Sequence, residues 1–102
     1  MLKFRSVIKF GGWKRTTDFD LEIVRDVTTT LLYGQMDDQF LGKTSIAGCS
    51  MLSPEDTYNE LTGLKIAFKN MAFKQFSELE ARAIYSQFRK YLYLMPEGLL
   101  EV

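Results

Sequence analysis

The sequence predicts an α+β domain: an N-terminal antiparallel β-sheet of three to four strands packed against two C-terminal helices. Three observations lead there. Up to Met51 the chain keeps returning to a two-residue alternation of apolar and polar side chains, the period of a half-buried strand. From Ser53 onward the spacing lengthens to three and four residues, the period of a helix with one buried face. Strands that all precede the helices point to segregated packing and away from alternating βαβ units.

Leu2, Phe4, Ser6, Ile8 and Phe10 fall on one face of the first strand, with Lys3, Arg5, Val7 and Lys9 on the other. Gly11-Gly12 breaks the pattern, and residues 13–18 read as a turn or short loop. Phe19, Leu21 and Ile23 then alternate with Asp20 and Glu22, which predicts a second strand. Residues 19–34 read as one long bent strand, two strands or part helix, because Ile23, Val24, Val27 and Leu31 also match helical spacing. The three consecutive threonines favour strand, and Gly34 is expected to close it. Met36-Asp37-Asp38 reads as the next turn. A further strand is expected from about Gln39 to Met51, with Gly42 and Gly48 marking bulges or a close backbone approach.

Ser53 suits a helix cap, Pro54 the first helical position, and Glu55 and Asp56 the positive end of the helix dipole. Gly63 either ends a short helix or sits inside a continuous one. Beyond it Leu64, Ala67, Phe68, Met71, Ala72 and Phe76 line one face. Ser77 with Glu80 forms a capping box for a second helix. That helix is expected to run to about Leu94 and to carry Ala81, Ile84, Tyr85, Phe88, Leu92 and Met95 inward, with Pro96 and Gly98 stopping it.

The 102 residues suit one domain over 1–102. Thirteen basic and thirteen acidic residues cancel, which disfavours a domain that binds duplex nucleic acid mainly by releasing counterions. A net charge of zero also removes one brake on self-association, so a homo-oligomer is expected. The single cysteine, Cys49, excludes an intramolecular disulfide and a thiolate-rich zinc site, and it reads as a small buried hydrophobe. The chain has no histidine, which removes Ser-His-Asp and Cys-His chemistry. The expectation is a protein that is not an enzyme and uses no cofactor or metal. No apolar run approaches the ~18 residues of a membrane span, and no signal-peptide stretch is present, so the expected setting is cytoplasmic with no membrane partner.

Trp13, flanked by Lys14 and Arg15, has the composition of a site where an indole stacks on a base while cations meet phosphate. The competing and favoured reading has Trp13 fold back over one end of the core. Lys65 and Lys69 are one helical turn apart and form a second cationic candidate, helped by Arg82, Arg89 and Lys90. Trp13, Lys14, Arg15, Lys65 and Lys69 are therefore the ligand-binding candidates. The pairs Asp18/Asp20 and Asp37/Asp38 read as turn residues. Tyr91 and Tyr93 cannot both point inward with Leu92, since adjacent helical positions diverge by about 100°. Tyr85, Tyr91 and Tyr93 are accordingly expected at an oligomer or partner interface.

The stretch from Lys43 to Phe73 runs through Cys49, then Pro54, Asp56 and Tyr58, then Gly63, Ile66 and Ala67. This resembles a pattern in small accessory proteins of tailed phages of Gram-positive bacteria: a strand, a Cys, P-x-D-x-[FY], and then G-x-x-[IL]-A. The Cys49-to-Pro54 spacing is longer here than in that pattern. The resemblance covers under a third of the chain and concerns packing residues. Some phage proteins of this general kind are anti-defence factors, including sponges for host signalling nucleotides. It implies a non-enzymatic phage accessory protein that binds and neutralises a host component, either a signalling nucleotide or a host protein. The alternative expectation is a small nucleic-acid-binding module.

Overall fold

The computed structural model describes residues 2–26, 29–51 and 60–94. Four strands, β1 (Leu2–Phe10), β2 (Trp13–Arg25), β3 (Thr29–Asp38) and β4 (Gly42–Met51), precede two helices, α1 (Glu60–Gln75) and α2 (Glu78–Leu94). The strands form one antiparallel meander in the order β1-β2-β3-β4. α1 lies over β3 and β4, α2 lies over β1, and the helices pack on each other. This is the expected α+β arrangement, and among the described residues the helices cover one face of the sheet.

Strand alternation decides which face is covered. Leu2, Phe4 and Ile8, then Phe19, Leu21 and Ile23, then Leu32 and Met36, and finally Ile46 all point to the helices and are buried. The helices answer with Leu64, Ala67, Phe68, Met71 and Ala72 from α1, Phe76 just after it, and Ala81, Ile84, Phe88 and Leu92 from α2. The centre is aromatic. Phe68 and Phe88 stack at 3.8 Å with their rings 7° from parallel, and Phe4 meets both edge-on at 5.8 and 5.4 Å. Ser77 caps α2 as its capping box predicts: its hydroxyl lies 2.6 Å from Glu80 Oε1, and the Glu80 amide donates back to Ser77 Oγ.

Several strand limits differ from the sequence reading. Residues 13–18 belong to β2, because Gly11-Gly12 alone reverses the chain and Phe10 pairs directly with Trp13. β3 likewise runs through Met36, Asp37 and Asp38, so the turn is at 39–41 and β4 begins at Gly42. The reason is the same in both places: the inward positions hold Arg15, Thr17 and Asp38, which are buried but polar and so break the apolar alternation. Of the three readings left open for residues 19–34, the structure has the two strands, β2 ending at Arg25 and β3 beginning at Thr29. Gly34 does not end a strand but lies inside β3, opposite Leu21, where a Cβ would run into the Asp20 carbonyl oxygen. The predicted cap at Ser53-Pro54 and the stop at Pro96 and Gly98 lie outside the described residues, as does Met95.

Carboxamides from the helices close backbone groups at both sheet edges. On β1, Gln87 Oε1 accepts from the Val7 amide at 3.0 Å and from Ser6 Oγ at 2.9 Å, while Gln87 Nε2 donates to the Val7 carbonyl. On β4, Asn70 Nδ2 donates to the Cys49 carbonyl at 2.8 Å. Blocking edge groups in this way limits pairing with other strands. No helix among the described residues is long and apolar enough to cross a membrane.

α1 approaches β4 at Gly48, one of the two positions flagged from the sequence. A Cβ there would press inside contact distance of the Ala67 carbonyl oxygen and lie 2.7 Å from Met71 Cβ. The Gly48→Ala variant is expected to lose about 1–3 kcal/mol, the usual range for overpacking, with urea unfolding followed by circular dichroism as the measurement.

Candidate functional site

Of the candidate residues, Arg15 is buried by the fold. Its side chain faces the helices at the hairpin end of the sheet, 9% exposed. Nε donates to Asp38 Oδ1 and Nη2 to Asp38 Oδ2, both at 2.9 Å, a bidentate fork across β2 and β3. Nη1 reaches Glu80 Oε2 on α2. The guanidinium lies between two rings, 5.2 Å from the Phe40 centroid and 5.0 Å from that of Phe76. Asp38 accepts further bonds from Thr17 Oγ1 at 2.6 Å and from the amides of Phe40 and Leu41 at 2.9 Å.

Burial opposes the charge on Asp38, yet Arg15, Thr17 and the two amides together hold its carboxyl well below the usual carboxylate range. Glu80 is also held low, first by the Ser77 hydroxyl and then by Arg15. Asp38 raises the Arg15 pKa by its hydrogen bond, against the effect of burial. The donors of Arg15 are thus directed at two carboxylates within the fold.

The other candidates separate to opposite ends of the molecule. At the hairpin end Trp13 is 52% exposed and rests edge-on against Phe40 at 5.6 Å, so it does not fold back over the core. Lys14 is exposed, and the register sets it directly opposite Lys9. At the far end α1 and α2, running antiparallel, bring Lys65 near the start of one helix to Arg89, Lys90 and Tyr93 near the end of the other. With Ser86 these line a groove of about 350 Å³. Arg89 is also held 5.8 Å over the Tyr85 ring. Among the described residues no carboxylate lies within ion-pair distance of Lys65, Arg89 or Lys90.

Lys69 is exposed one turn along α1 and does not line this groove. Arg82 is paired with Glu78 at 2.5 Å. Of the three tyrosines, Tyr93 is 90% exposed, whereas Tyr91 is half-buried against Phe4 and Tyr85 is partly buried against the core. Burial raises the Tyr91 phenol.

The open face of the sheet carries a further furrow of about 450 Å³ along Lys3, Arg5, Asp18, Asp20, Asp37 and Lys43. Its charges cancel by register: Lys3 is opposite Asp20, Arg5 bonds Asp18 at 2.7 Å, and Lys43 is opposite Asp37. Asp18, Asp20 and Asp37 are therefore strand residues and not turn residues. Cys49 also faces outward and is exposed, contrary to its reading as a buried hydrophobe, because β4 turns Gly48 and Ser50 to the helices instead. Among the described residues no group of three acidic, histidine or cysteine side chains is arranged to hold a metal ion.

Sequence reasoning missed Lys9 and Phe40. Lys9 was accessible to it: a two-residue turn at Gly11-Gly12 places Lys9 opposite Lys14 by counting alone. Phe40 was not, since its contact with Trp13 joins two separate hairpins. No protein-family model matches the chain, and no curated protein or solved structure matches it either.

The buried network yields two linked expectations. Asp38→Asn leaves Arg15 with one carboxylate and is expected to cost about 3–5 kcal/mol in urea unfolding. Asp38 and Glu80 have folded pKa values below their ordinary ones, so their stabilisation is complete above the ordinary carboxylate range and is lost as the pH falls through it. The wild type is therefore expected to lose stability below about pH 4, and Asp38→Asn to lose less over the same interval.

Proposed function

We propose that this chain is a non-enzymatic phage accessory protein that captures and neutralises an anionic host ligand, a small nucleotide in the host cytoplasm, in the groove between α1 and α2. One observation carries the reading: Lys65, Arg89 and Lys90 converge there without a carboxylate partner among the described residues, next to the exposed ring of Tyr93. Three cations held together repel one another, and a phosphate-bearing ligand turns that cost into binding energy. Stacking on Tyr85 restricts the Arg89 fork in advance of binding. Ser86 adds a hydroxyl and Tyr93 a ring face for a base. The groove volume falls in the range of small-ligand sites. The phage assignment rests on the resemblance through Cys49, Pro54, Asp56, Tyr58, Gly63, Ile66 and Ala67.

Native mass spectrometry and calorimetry against a panel of linear and cyclic nucleotides test the reading. A retained nucleotide is expected, with affinity falling about tenfold for Arg89→Ala and further for the Lys65→Ala/Arg89→Ala/Lys90→Ala variant. Arg89 and Lys90 are exposed and Lys65 is half-exposed, so the variants are expected to keep the wild-type circular dichroism spectrum. A panel with no binder, or a binder that the triple variant holds as tightly, overturns the assignment.

A further inference from the structure

Both hairpin turns on the hairpin side of the sheet, residues 11–12 and 39–41, lie at the end opposite the helix groove and are tied together: the Gln39 amide donates to the Thr16 carbonyl at 3.0 Å, and the Thr16 amide donates to Gln39 Oε1 at 3.1 Å. Two exposed pairs mark this end. One is the pair Lys9 and Lys14, which face each other across β1 and β2. Like charges placed directly opposite on neighbouring strands are destabilising, and no carboxylate among the described residues lies within ion-pair distance of either. The other is the pair of rings Trp13 and Phe40, which touch at 79° and are 52% and 58% exposed.

The nearby carboxylates offset the lysines only in part. Arg15 with Asp38 and Glu80 sums to one negative charge and Asp37 is opposite Lys43, so the exposed pair Lys9 and Lys14 leaves an excess of one positive charge among these groups. A furrow of about 470 Å³ runs beside Lys9, the Gly11-Gly12 turn, Trp13, Lys14 and Gln39. No atom lies within 4 Å of where a Cβ on either glycine would sit, so the turn leaves the furrow open.

We propose that this end is a docking site for single-stranded nucleic acid, with Trp13 and Phe40 as stacking platforms and Lys9 and Lys14 as phosphate contacts. Two ring surfaces turned almost at right angles suit successive unstacked bases of a strand, whereas a mononucleotide has one base to offer. A duplex keeps its bases stacked on each other and gains nothing from the rings. The site is separate from the helix groove, and neither reading depends on the other.

Trp13 is the only tryptophan in the chain, so its emission reports on this end specifically. Titration of the full chain with an oligothymidylate of roughly ten nucleotides, a length within the usual single-strand site sizes, is expected to quench that emission at low salt. Neutralising two phosphates predicts that affinity falls about sevenfold between roughly 50 and 200 mM salt. The Lys9→Glu/Lys14→Glu variant, altered only at exposed positions, is expected to keep the wild-type circular dichroism spectrum and to lose the quenching. The proposal is overturned by absence of quenching at low salt, by quenching that survives the double reversal, or by equal affinity for a duplex or a mononucleotide. Equal quenching by poly-glutamate, lost in the same variant, also overturns it and makes an acidic protein segment the occupant.

Discussion

Arg15 ties together the parts of this fold that hydrophobic burial alone leaves loosely related. The sheet and helices are joined along their length by apolar side chains, but those contacts are non-directional. The guanidinium is directional. Its fork fixes β2 against β3 through Asp38, its third nitrogen reaches Glu80 at the start of α2, and its faces meet Phe40 in a turn and Phe76 at the end of α1. Because Asp38 also receives the Phe40 and Leu41 amides, the β3–β4 turn is drawn into the same network. Charges taken out of water are tolerated only when fully partnered, and here the partners come from four separate segments.

The same network shapes the surface beyond it. Because Arg15 engages both Asp38 and Glu80, neither carboxylate is paired directly with the exposed lysines at the hairpin end. The network also sets the Arg15 guanidinium against the Phe40 ring, which stays 58% exposed. On the open face of the sheet the opposite holds, because register places basic beside acidic residues and the charges cancel. Among the described residues, exposed cationic side chains thus gather at both ends, with a charge-paired sheet face between them.

The two cationic clusters are positioned by different means. The helix groove exists because antiparallel helices bring residues from the start of one beside residues from the end of the other. The hairpin cluster exists because strand pairing through a two-residue turn sets Lys9 beside Lys14. Gly48 and Asn70 serve the first arrangement indirectly. The missing side chain at Gly48 lets α1 settle onto β4, and Asn70 bonds the Cys49 carbonyl at the edge of that strand.

The sequence by itself determined the fold class, the inward faces of β1 and both helices and the second helix cap, and it marked Gly48 as either a bulge or a close approach. Each of these follows from local periodicity or from the chemistry of residues a few positions apart. Only the tertiary structure decided the ends of β2 and β3, because Arg15, Thr17 and Asp38 are buried as a hydrogen-bonded set, and an apolar alternation cannot announce a polar interior. Only the tertiary structure sorted the candidate residues as well. It separated Trp13 and Lys14 from Lys65, withdrew Arg15 into the interior, turned Cys49 outward, kept Arg89 and Lys90 beside Lys65 while leaving out Lys69 and Arg82, and added Tyr93 to that cluster and Phe40 to the other. Those groupings depend on contacts between segments far apart in the chain, which no pattern of near neighbours encodes.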